Sequence, residues 1–238
     1  MDIIYTPKGR AKEYADLAIN IYKGCTHGCK YCFGAKLPWI PADEYYKAAD
    51  PKANIIQRLL KDVKKINDDC PEILLSFTGD VYQPIEIDLK LTREVIKILI
   101  DHNLPFTILT KGGLRAVRDF DLLKGYDRAR FGSTLVFMDQ KFANEWEPHA
   151  PSVISRIAAI QKAHKLGIPT WISLEPVIDP EQAFMVIKEL YPIVSHWKVG
   201  KINYHKVKVD WKKFRDEVTD LLESLGASFY LKKSLTEL

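Results

Sequence analysis

Three cysteines lie close together near the start of the chain, at Cys25, Cys29 and Cys32 in the stretch GCTHGCKYCFG. The sequence holds one further cysteine, Cys70. Thiols at this C-x3-C-x2-C spacing suit a metal ion or cluster better than a disulfide framework. Three thiolates on one loop can hold three irons of a [4Fe–4S] cluster and leave the fourth open, whereas a cluster that only carries electrons usually takes four protein ligands. The spacing therefore predicts a cluster with an open iron where chemistry can occur.

Structural zinc is the alternative for the same thiols. It normally takes four protein ligands, and either His27 or Cys70 could supply the fourth. His27 lies inside the cysteine loop, whereas Cys70 lies far along the chain and is interpreted as a buried or half-exposed thiol without a ligand role. The zinc interpretation thus depends on a fourth ligand that the spacing does not provide clearly.

The composition is that of an ordinary globular protein, with 238 residues, 47% hydrophobic residues and 28% charged residues. The net charge of +4 is compatible with an anionic partner such as nucleic acid and equally with a solvated surface. The N-terminal stretch MDIIYTPKGR has no apolar run of signal-peptide length, and no stretch approaches the roughly 18 apolar residues of a membrane-spanning helix. We therefore expect a cytoplasmic protein that does not contact a membrane.

Short β-rich runs alternate regularly with amphipathic helical stretches along the whole chain. This alternation predicts right-handed βαβ units and a parallel sheet. The predicted strands are residues 17–24, 73–80, 105–112, 129–137, 169–177, 196–203 and 228–235. The predicted helices are residues 51–67, 91–102, a stretch ending at 123, 152–166, 181–190 and 210–225, the last followed by Gly226 as a C′ residue.

Polar and glycine residues gather just after the predicted strands, at Cys25, residues 78–80, residues 110–111, Glu175 and Asn203. In a barrel-like α/β fold these positions lie on the rim at the carboxyl ends of the strands, where active sites are built. We therefore predict an α/β fold of one domain, 1–238, forming a partial (β/α)6-type TIM barrel of six or seven strands. Its core covers about 15–205, and 210–235 completes it. A doubly wound open sheet is the alternative.

The cysteine motif after a first strand, in a barrel-like α/β chain, resembles the radical S-adenosylmethionine (SAM) superfamily. The resemblance extends to the spore photoproduct lyase-related branch, often labelled DNA repair photolyase-like, over roughly residues 15–180, and it is less clear from SLEPVIDP onward. The segments that carry it are NIYKGCTHGCKYCF, TGDVYQPIE, LTREVIKIL, ILTKGGLRAVRDFDLL and EWEPHAPSVISRIAAIQKAHKLGIP.

This resemblance implies the cofactors and the type of reaction. In these enzymes a [4Fe–4S] cluster binds SAM at its open iron and cleaves it reductively, and the resulting 5′-deoxyadenosyl radical abstracts hydrogen from a substrate. The protein positions the cofactors and excludes side reactions. It also implies a reductant such as flavodoxin or ferredoxin as a partner.

The resemblance further implies a role for each rim motif in binding SAM. Thr78, Gly79 and Asp80 occupy the place of the Gly-Gly-Glu segment that receives the SAM amino group. A carboxylate and exposed carbonyls there could accept bonds from an ammonium. Lys111 could pair with the SAM carboxylate, as a flexible ammonium can.

Three more residues match SAM-binding positions of the family. Ser133, within the fourth predicted strand, resembles a position that hydrogen-bonds SAM, and Arg156 could clamp a carboxylate. Glu147 could bond a ribose or hold Arg156 in place. For each of these residues a structural salt bridge or surface role is the alternative.

Two residues are predicted to act on the substrate. Tyr82 lies two residues after Asp80 of the TGD segment, and Glu175 ends its strand beside Pro176, so both are expected to face the site. A structural pairing of Glu175 with Lys198 or Lys201 is the alternative. Further aromatic residues could stack on a base or belong to the barrel wall, and two lysines could add positive charge. These are Trp171, Trp197, Tyr204, Lys232 and Lys233.

Spore photoproduct lyase needs a thiol that returns a hydrogen atom to the repaired thymine, and the matching position here is Phe77. Phenylalanine has no hydrogen of suitable bond strength, so we do not expect thymine photoproduct repair. The sequence instead favours a radical SAM enzyme acting on a nucleic-acid base, a nucleotide or a related small molecule. A non-catalytic iron–sulfur or zinc-binding module is the alternative. We expect a monomer or weak dimer.

Overall fold

The computed structural model of the chain describes residues 2–38 and 40–238. These residues contain nine strands, in chain order: β1 (Leu17–Ile19), β2 (Tyr22–Lys23), β3 (Asp50–Pro51), β4 (Ile73–Leu75), β5 (Phe106–Thr110), β6 (Ala129–Thr134), β7 (Thr170–Val177), β8 (His196–Lys201) and β9 (Phe229–Leu231). Seven of them form one parallel sheet in the order β1-β4-β5-β6-β7-β8-β9. Strands β2 and β3 form a separate antiparallel pair.

The helices connect and flank these strands. They are α1 (Ala42–Lys47), α2 (Ile55–Asp62), α3 (Glu86–Leu89), α4 (Leu91–Asp101), α5 (Phe120–Leu123), α6 (Gln140–Trp146), α7 (Val153–Lys165), α8 (Pro180–Leu190), α9 (Trp211–Ser224) and α10 (Lys233–Thr236). Short 3₁₀ helices occupy Gly9–Glu13, Gly34–Lys36, Val63–Lys65, Gly113–Asp119 and Tyr191–Ile193.

Local sequence sets the ends of the longer helices. The side chain of Asp179 accepts the backbone N–H groups of Glu181 and Gln182 at the start of α8, and Asp210 caps α9 in the same way. Each such cap stabilises its helix by about 1 kcal/mol. Gly226 follows α9 with a φ of +61°, which confirms the predicted C′ glycine because this backbone region favours glycine.

The sheet has two different faces. Ile172 and Trp197 are register partners on β7 and β8, and they belong to the large core that also contains the buried residues of the helices. The other face is concave and carries a smaller cluster of Ala18, Leu74 and Trp171. Alternation of side chains along each strand therefore assigns every rim residue either to the helical layer or to the concave face.

The N-terminal segment crosses the concave face. Tyr5 forms an antiparallel bridge with Ala18 on β1, at one edge of the sheet. At the other side, the carbonyl of Tyr14 accepts the Nζ of Lys198 on β8 at 2.6 Å, and the Tyr14 hydroxyl bonds Ser173 on β7. This segment thus spans between the two edge regions of the sheet.

The predicted partial barrel is confirmed, and the alternative of a doubly wound sheet is wrong. The strand order follows the chain without reversal, whereas a doubly wound sheet changes direction at a switch point. All seven predicted strands are present, but those near the cysteines and at the C-terminus are shorter than predicted. The strand predicted for 73–80 ends at Leu75, and Gly79, with a φ of +75°, lies in the turn that follows.

Candidate active site

The cysteine loop lies between β2 and α1, above the carboxyl end of β1. Cys25 and Cys29 are buried, Cys32 is half-buried, and all three are free thiols. Gly24 begins the loop with a φ of +74°, and a side chain there would come within 2.1 Å of the carbonyl oxygen of Ala48. Only glycine allows this close approach, so the turn is fixed by sequence.

A buried amide holds the loop against the TGD segment. The Oε1 of Gln83 accepts the backbone N–H of Thr26 at 2.8 Å. Its Nε2 donates to the carbonyls of Gly24 and Asp80, at 3.3 and 3.0 Å. Gln83 is fully buried, and every polar atom of its amide has a partner in the loop or beside it. Sequence reasoning assigned Gln83 no role of its own, although its position three residues after Asp80 was the available signal.

The carboxylate of Asp80 connects the TGD segment to the end of β5 by hydrogen bonds. Its oxygens accept the hydroxyl of Thr110 at 2.5 Å and the backbone N–H groups of Lys111 and Tyr82 at 2.6 and 2.8 Å. Burial alone would raise the pKa of Asp80, but the neighbouring His27 ring and these donors hold it below its usual value. Three of the roughly four acceptor sites of the Asp80 carboxylate thus serve the protein, and its direct bond to the SAM ammonium stays a prediction.

The other two residues of the segment lie at the same rim. Gly79 packs so closely on the loop that a side chain would come within 2.8 Å of the Gly24 carbonyl oxygen. Thr78 is half-buried, and its backbone N–H donates to the Oδ1 of Asn20 at 3.0 Å. Backbone close to the cysteine loop, not the Asp80 carboxylate, is thus what this segment presents.

His27 and Cys70 do not join the three cysteines. The Nδ1 of His27 faces Asp80 at 3.7 Å and its Nε2 faces Arg115 at 3.2 Å. Cys70 precedes β4, at the amino ends of the strands, opposite the rim. Within residues 2–38 and 40–238, no three Cys, His, Asp or Glu side chains converge to hold a single metal ion. This geometry gives the zinc interpretation no support.

The three thiols suit a larger group. Burial, with Asp80 nearby, raises the pKa of Cys25 to about 12, and burial raises the pKa of Cys29 as well. Such thiols keep their protons at neutral pH unless a positively charged centre replaces them. A four-iron cluster offers each thiolate its own iron and accepts sulfurs that are too far apart for one ion. The donor set therefore fits a cluster held by Cys25, Cys29 and Cys32.

A chain of charged and aromatic side chains runs beside the cysteines. The ammonium of Lys111 lies 5.4 Å from the ring centre of Tyr31, and the Tyr31 hydroxyl donates to Glu147. Burial alone would lower the pKa of Lys111, but Cys29 and Glu147 outweigh it and raise the pKa. Lys111 is therefore a charged group beside the cysteine loop, and its pairing with the SAM carboxylate stays a prediction.

Glu147 and Arg156 form a buried ion pair with 2.5 Å between Arg156 Nη1 and Glu147 Oε2. The guanidinium also donates to the carbonyls of Pro151 and Thr134, at 2.9 and 3.3 Å. Both side chains are almost inaccessible to solvent. Of the two predicted roles for Glu147, the structure displays the one that fixes Arg156. The Nε and Nη1 groups of Arg156 serve the protein, and the predicted carboxylate clamp by this guanidinium stays a prediction.

Two predicted site residues point away from the concave face. Ser133 pairs in register with Ile172, on the helical side, and its hydroxyl donates to the carbonyl of Thr110 at 3.1 Å. Tyr82 is fully buried, with the Arg118 guanidinium 5.8 Å from its ring centre. The structure thus places both side chains off the concave face, and their predicted contacts with SAM and with substrate stay predictions. Ser133 lies on the helical side because side chains alternate along β6. Tyr82 lies in the core because the chain turns after Asp80.

The concave face carries a different set of aromatic residues. The rings of Tyr14 and Phe77 meet edge to face, 5.9 Å apart, and the ring of Tyr14 lies 6.3 Å from that of Trp171. Of the other aromatic residues singled out in the sequence, Trp197 is buried in the helical layer and Tyr204 is exposed in the loop after β8. Sequence reasoning missed Tyr14, because nothing in the pattern showed that the N-terminal segment crosses this face.

Glu175 lies at the concave face, where it pairs with Lys232 and not with Lys198 or Lys201. Both of its oxygens accept the Lys232 Nζ at 2.9 Å, and the Tyr14 hydroxyl donates to one of them. The pair meets across Gly200, where an added side chain would lie 3.1 Å from both partners. The exposed part of Glu175, about 16% of its side chain, leaves an edge of this cluster open to a ligand.

Comparison with known proteins identifies the class. The family description "Radical SAM superfamily" matches residues 19–190, so this chain belongs to the radical SAM superfamily. It is 31% identical to the uncharacterized protein MJ0683 of Methanocaldococcus jannaschii over 191 residues, which cover 79% of this chain and 71% of that relative. It is 24% identical to the uncharacterized protein ORF301 of Acidianus two-tailed virus, over 94% of this chain and 84% of the relative.

Solved structures share the fold. Spore photoproduct lyase in complex with a dinucleoside spore photoproduct aligns with a TM-score of 0.70 at 16% identity, over 95% of this chain and 80% of that chain. Streptococcus suis SuiB bound to S-adenosylmethionine aligns with a TM-score of 0.69 at 15% identity, over 90% of this chain. This chain spans only 49% of SuiB. In the part of the chain that is described, no helix is long and apolar enough to cross a membrane.

Proposed function

We propose that this chain is a radical SAM enzyme that binds a [4Fe–4S] cluster through Cys25, Cys29 and Cys32 and takes hydrogen from a substrate at the concave face of its sheet. The observation that carries this proposal is the loop of three free thiols, two of them buried, beside the Lys111 ammonium at the carboxyl ends of the strands. When bound, the cluster and SAM together supply a 5′-deoxyadenosyl radical by reductive cleavage of SAM.

The residues of this chain bind and orient these cofactors. Gln83 and Asp80 hold the cysteine loop, the TGD segment and the end of β5 in one rigid unit. The backbone of Thr78 and Gly79 would lie near the SAM amino group, and the Lys111 ammonium would pair with its carboxylate. Glu147 and Arg156 stabilise this arrangement. Glu147 accepts the hydroxyl of Tyr31, and Arg156 donates to the carbonyl of Thr134.

The substrate would bind against the concave wall. Phe77, Tyr14 and Trp171 offer apolar ring surface, and stacking on such rings is worth about 1–3 kcal/mol per base in proteins that bind single strands. Glu175 and Lys232 add a polar edge to the same wall. A planar, partly polar substrate fits these groups, so a nucleic-acid base, a nucleotide or a related small molecule is the proposed substrate class. In this role Glu175 contacts the substrate and Tyr82 does not.

Thymine photoproduct repair is not part of the proposal, although spore photoproduct lyase shares the fold. Phe77 faces the concave side beside Tyr14, where the hydrogen-donating cysteine would be needed. Its ring cannot return a hydrogen atom to a substrate radical. The proposed reaction therefore ends in another way.

The remaining parts of the proposal concern the surroundings of the enzyme. A low-potential electron carrier such as flavodoxin or ferredoxin would reduce the cluster. We propose one catalytic domain over 1–238 that works in the cytoplasm as a monomer or weak dimer. Each of these statements rests on the family's chemistry and on the sequence.

Anaerobic reconstitution with iron and sulfide, followed by reduction in the presence of SAM, tests the proposal. We expect brown protein with absorbance near 400 nm and release of 5′-deoxyadenosine and methionine. A colourless protein that binds zinc through the same cysteines would support a structural metal site. A stable cluster without SAM cleavage would support a non-catalytic iron–sulfur module.

A further inference from the structure

We infer that a second binding site, for a phosphoryl group, lies at the carboxyl ends of β8 and β9. A cavity of about 650 Å³ opens there, and its lining includes Arg10, Lys12, Lys201 and Lys233. Lys201 is the last residue of β8, and Lys233 begins α10 just after β9. The cavity is thus on the same rim as the cysteine loop but against the opposite edge of the sheet. Its volume is that of a small-molecule site.

Three of the four cationic side chains that line this cavity have no ion-pair partner among the described residues. The guanidinium of Arg10 donates to the side-chain oxygen of Asn203, a neutral amide. The ammonium of Lys201 lies 5.9 Å from the ring centre of Trp211. Among the residues that the structure describes, no carboxylate forms an ion pair with Arg10, Lys12 or Lys201. These cations are therefore free to bind an anion.

The two carboxylates of the cavity are already engaged. The Oε2 of Glu13 accepts the backbone N–H of Lys233 at 2.7 Å and the hydroxyl of Tyr230 at 3.3 Å. Glu237 lies 3.5 Å from the ammonium of Lys233. Four cationic side chains thus face two carboxylates, so the cavity keeps an excess of positive charge. A phosphoryl dianion matches this excess, and an arginine fork suits its oxygens.

A buried hydroxyl lines the same cavity. The Oγ of Ser234 is hidden from solvent and has no hydrogen-bond partner among the described residues. A buried polar atom without a partner costs about 1–3 kcal/mol. Rotation of the Ser234 side chain toward the cavity would let a phosphoryl oxygen accept this hydroxyl proton, which is a second reason to assign the cavity to a ligand.

The site is connected to the concave wall by adjacent residues. Lys232 pairs with Glu175 and directly precedes Lys233. Gly200 lies beneath this pair and directly precedes Lys201. Adjacent residues of a strand face opposite sides, so a phosphoryl group held by Lys201 and Arg10 would lie at the rim, one residue along the chain from the Glu175–Lys232 pair. We infer that the substrate carries a phosphate, as a nucleotide does. This last step rests on the proposed function, whereas phosphate binding itself does not.

Calorimetric titration of the full chain at low ionic strength tests the site. The probes are inorganic pyrophosphate, adenosine 5′-monophosphate, glucose 6-phosphate and adenosine. We expect the three phosphorylated probes to bind and adenosine not to bind. Tighter binding of the nucleotide than of the sugar phosphate would identify a nucleotide as the source, and equal binding would show that the phosphoryl group alone is recognised. Either result supports the site.

The double variant Arg10→Gln, Lys201→Gln should weaken pyrophosphate binding at least about tenfold, because it removes two charge-assisted contacts. Lys188→Gln, an exposed lysine on α8 that does not line the cavity, is the matched control and should bind as the unsubstituted chain does. Equal affinity of the double variant and the control would overturn the site, as would no pyrophosphate binding at millimolar concentration. SAM is absent from these titrations, so their failure and a failure of SAM cleavage are separate results.

Discussion

The hydroxyl oxygen of Tyr45 lies 3.9 Å from the Sγ of Cys32 and 3.1 Å from the backbone nitrogen of Gly79. The Gly79 N–H donates to this oxygen, so the tyrosine proton remains for a sulfur acceptor. Once Cys32 is a thiolate, the Tyr45 hydroxyl can donate to it. One buried side chain would then join the TGD segment to a ligand of the cluster.

Tyr45→Phe should make the cluster harder to reduce. A donor to a ligand sulfur stabilises the more negative, reduced cluster, so its loss should lower the reduction potential. Redox titration followed by electron paramagnetic resonance measures this shift. Tyr46→Phe is the matched control, because the Tyr46 hydroxyl donates to the carbonyl of Cys29 and not to a sulfur. A potential that falls equally in both variants, or in neither, would refute the proposed bond.

Glu147→Gln should destabilise the fold by about 3–5 kcal/mol, because it leaves the buried guanidinium of Arg156 without its charge partner. Denaturant unfolding of the iron-free protein measures this change. Glu94→Gln, which breaks an exposed pair with Lys97, should change stability by less than about 1 kcal/mol. An equal loss of unfolding free energy in both variants would show that the buried pair contributes no more to stability than the exposed pair.

The Glu147 contribution should also depend on pH. Burial alone would raise its pKa, but Arg156 and Lys111 lower it below the ordinary value of 4.5. A carboxylate with a lowered pKa binds fewer protons in the folded state, so its stabilisation is full above that ordinary value and is lost as the pH falls through the folded-state pKa. Unfolding free energies of the unsubstituted chain and Glu147→Gln should therefore converge below about pH 4.5. A constant difference down to pH 3 would contradict this.

Lys111→Met should weaken SAM binding about ten- to a hundredfold with the cluster intact, since one charge-assisted contact is worth on the order of 1.5–3 kcal/mol. Equilibrium binding of SAM to the reconstituted protein provides the measurement. Ser133→Ala should bind SAM as the unsubstituted chain does, because its hydroxyl donates to the Thr110 carbonyl. Unchanged affinity in the Lys111 variant would assign that lysine a structural role.

The unsubstituted chain should not repair a thymine photoproduct, because Phe77 cannot return hydrogen to the substrate. Phe77→Cys should not be sufficient to create repair, since the concave wall also contains Tyr14 and Trp171. Assays with ultraviolet-damaged dinucleotide and damaged DNA are the check, with authentic spore photoproduct lyase as the positive control. Multiple-turnover release of thymine by the unsubstituted chain would show that the interpretation of Phe77 is wrong.

Much of the fold was predictable because its signals are local. Strand–helix alternation predicted the parallel sheet, and Gly226 marked the end of α9. The positions of the three cysteines and Lys111 followed from strand ends, which all meet at one rim. Features set by long-range contact were not visible in the same way. The N-terminal segment, the Tyr45 bridge and the Gln83 contacts join residues that are far apart in sequence.

The direction of side chains was the main source of error. Ser133 and Tyr82 lie on the expected segments, but one belongs to the helical face of its strand and the other turns into the core. Asp80 and Arg156 are close to the rim, and both form internal hydrogen bonds that sequence spacing does not reveal. A shift of one residue along a strand reverses the face, so motif position alone cannot settle such contacts.

The most direct test of the account is the iron content and SAM cleavage of single cysteine variants after anaerobic reconstitution. Cys70→Ala should retain about four irons per chain and should release 5′-deoxyadenosine on reduction with SAM. Each of Cys25→Ala, Cys29→Ala and Cys32→Ala should lose most of the iron and all of the SAM cleavage. Full iron content in any of these three loop variants, or its loss in Cys70→Ala, would contradict a cluster held by the three loop cysteines alone.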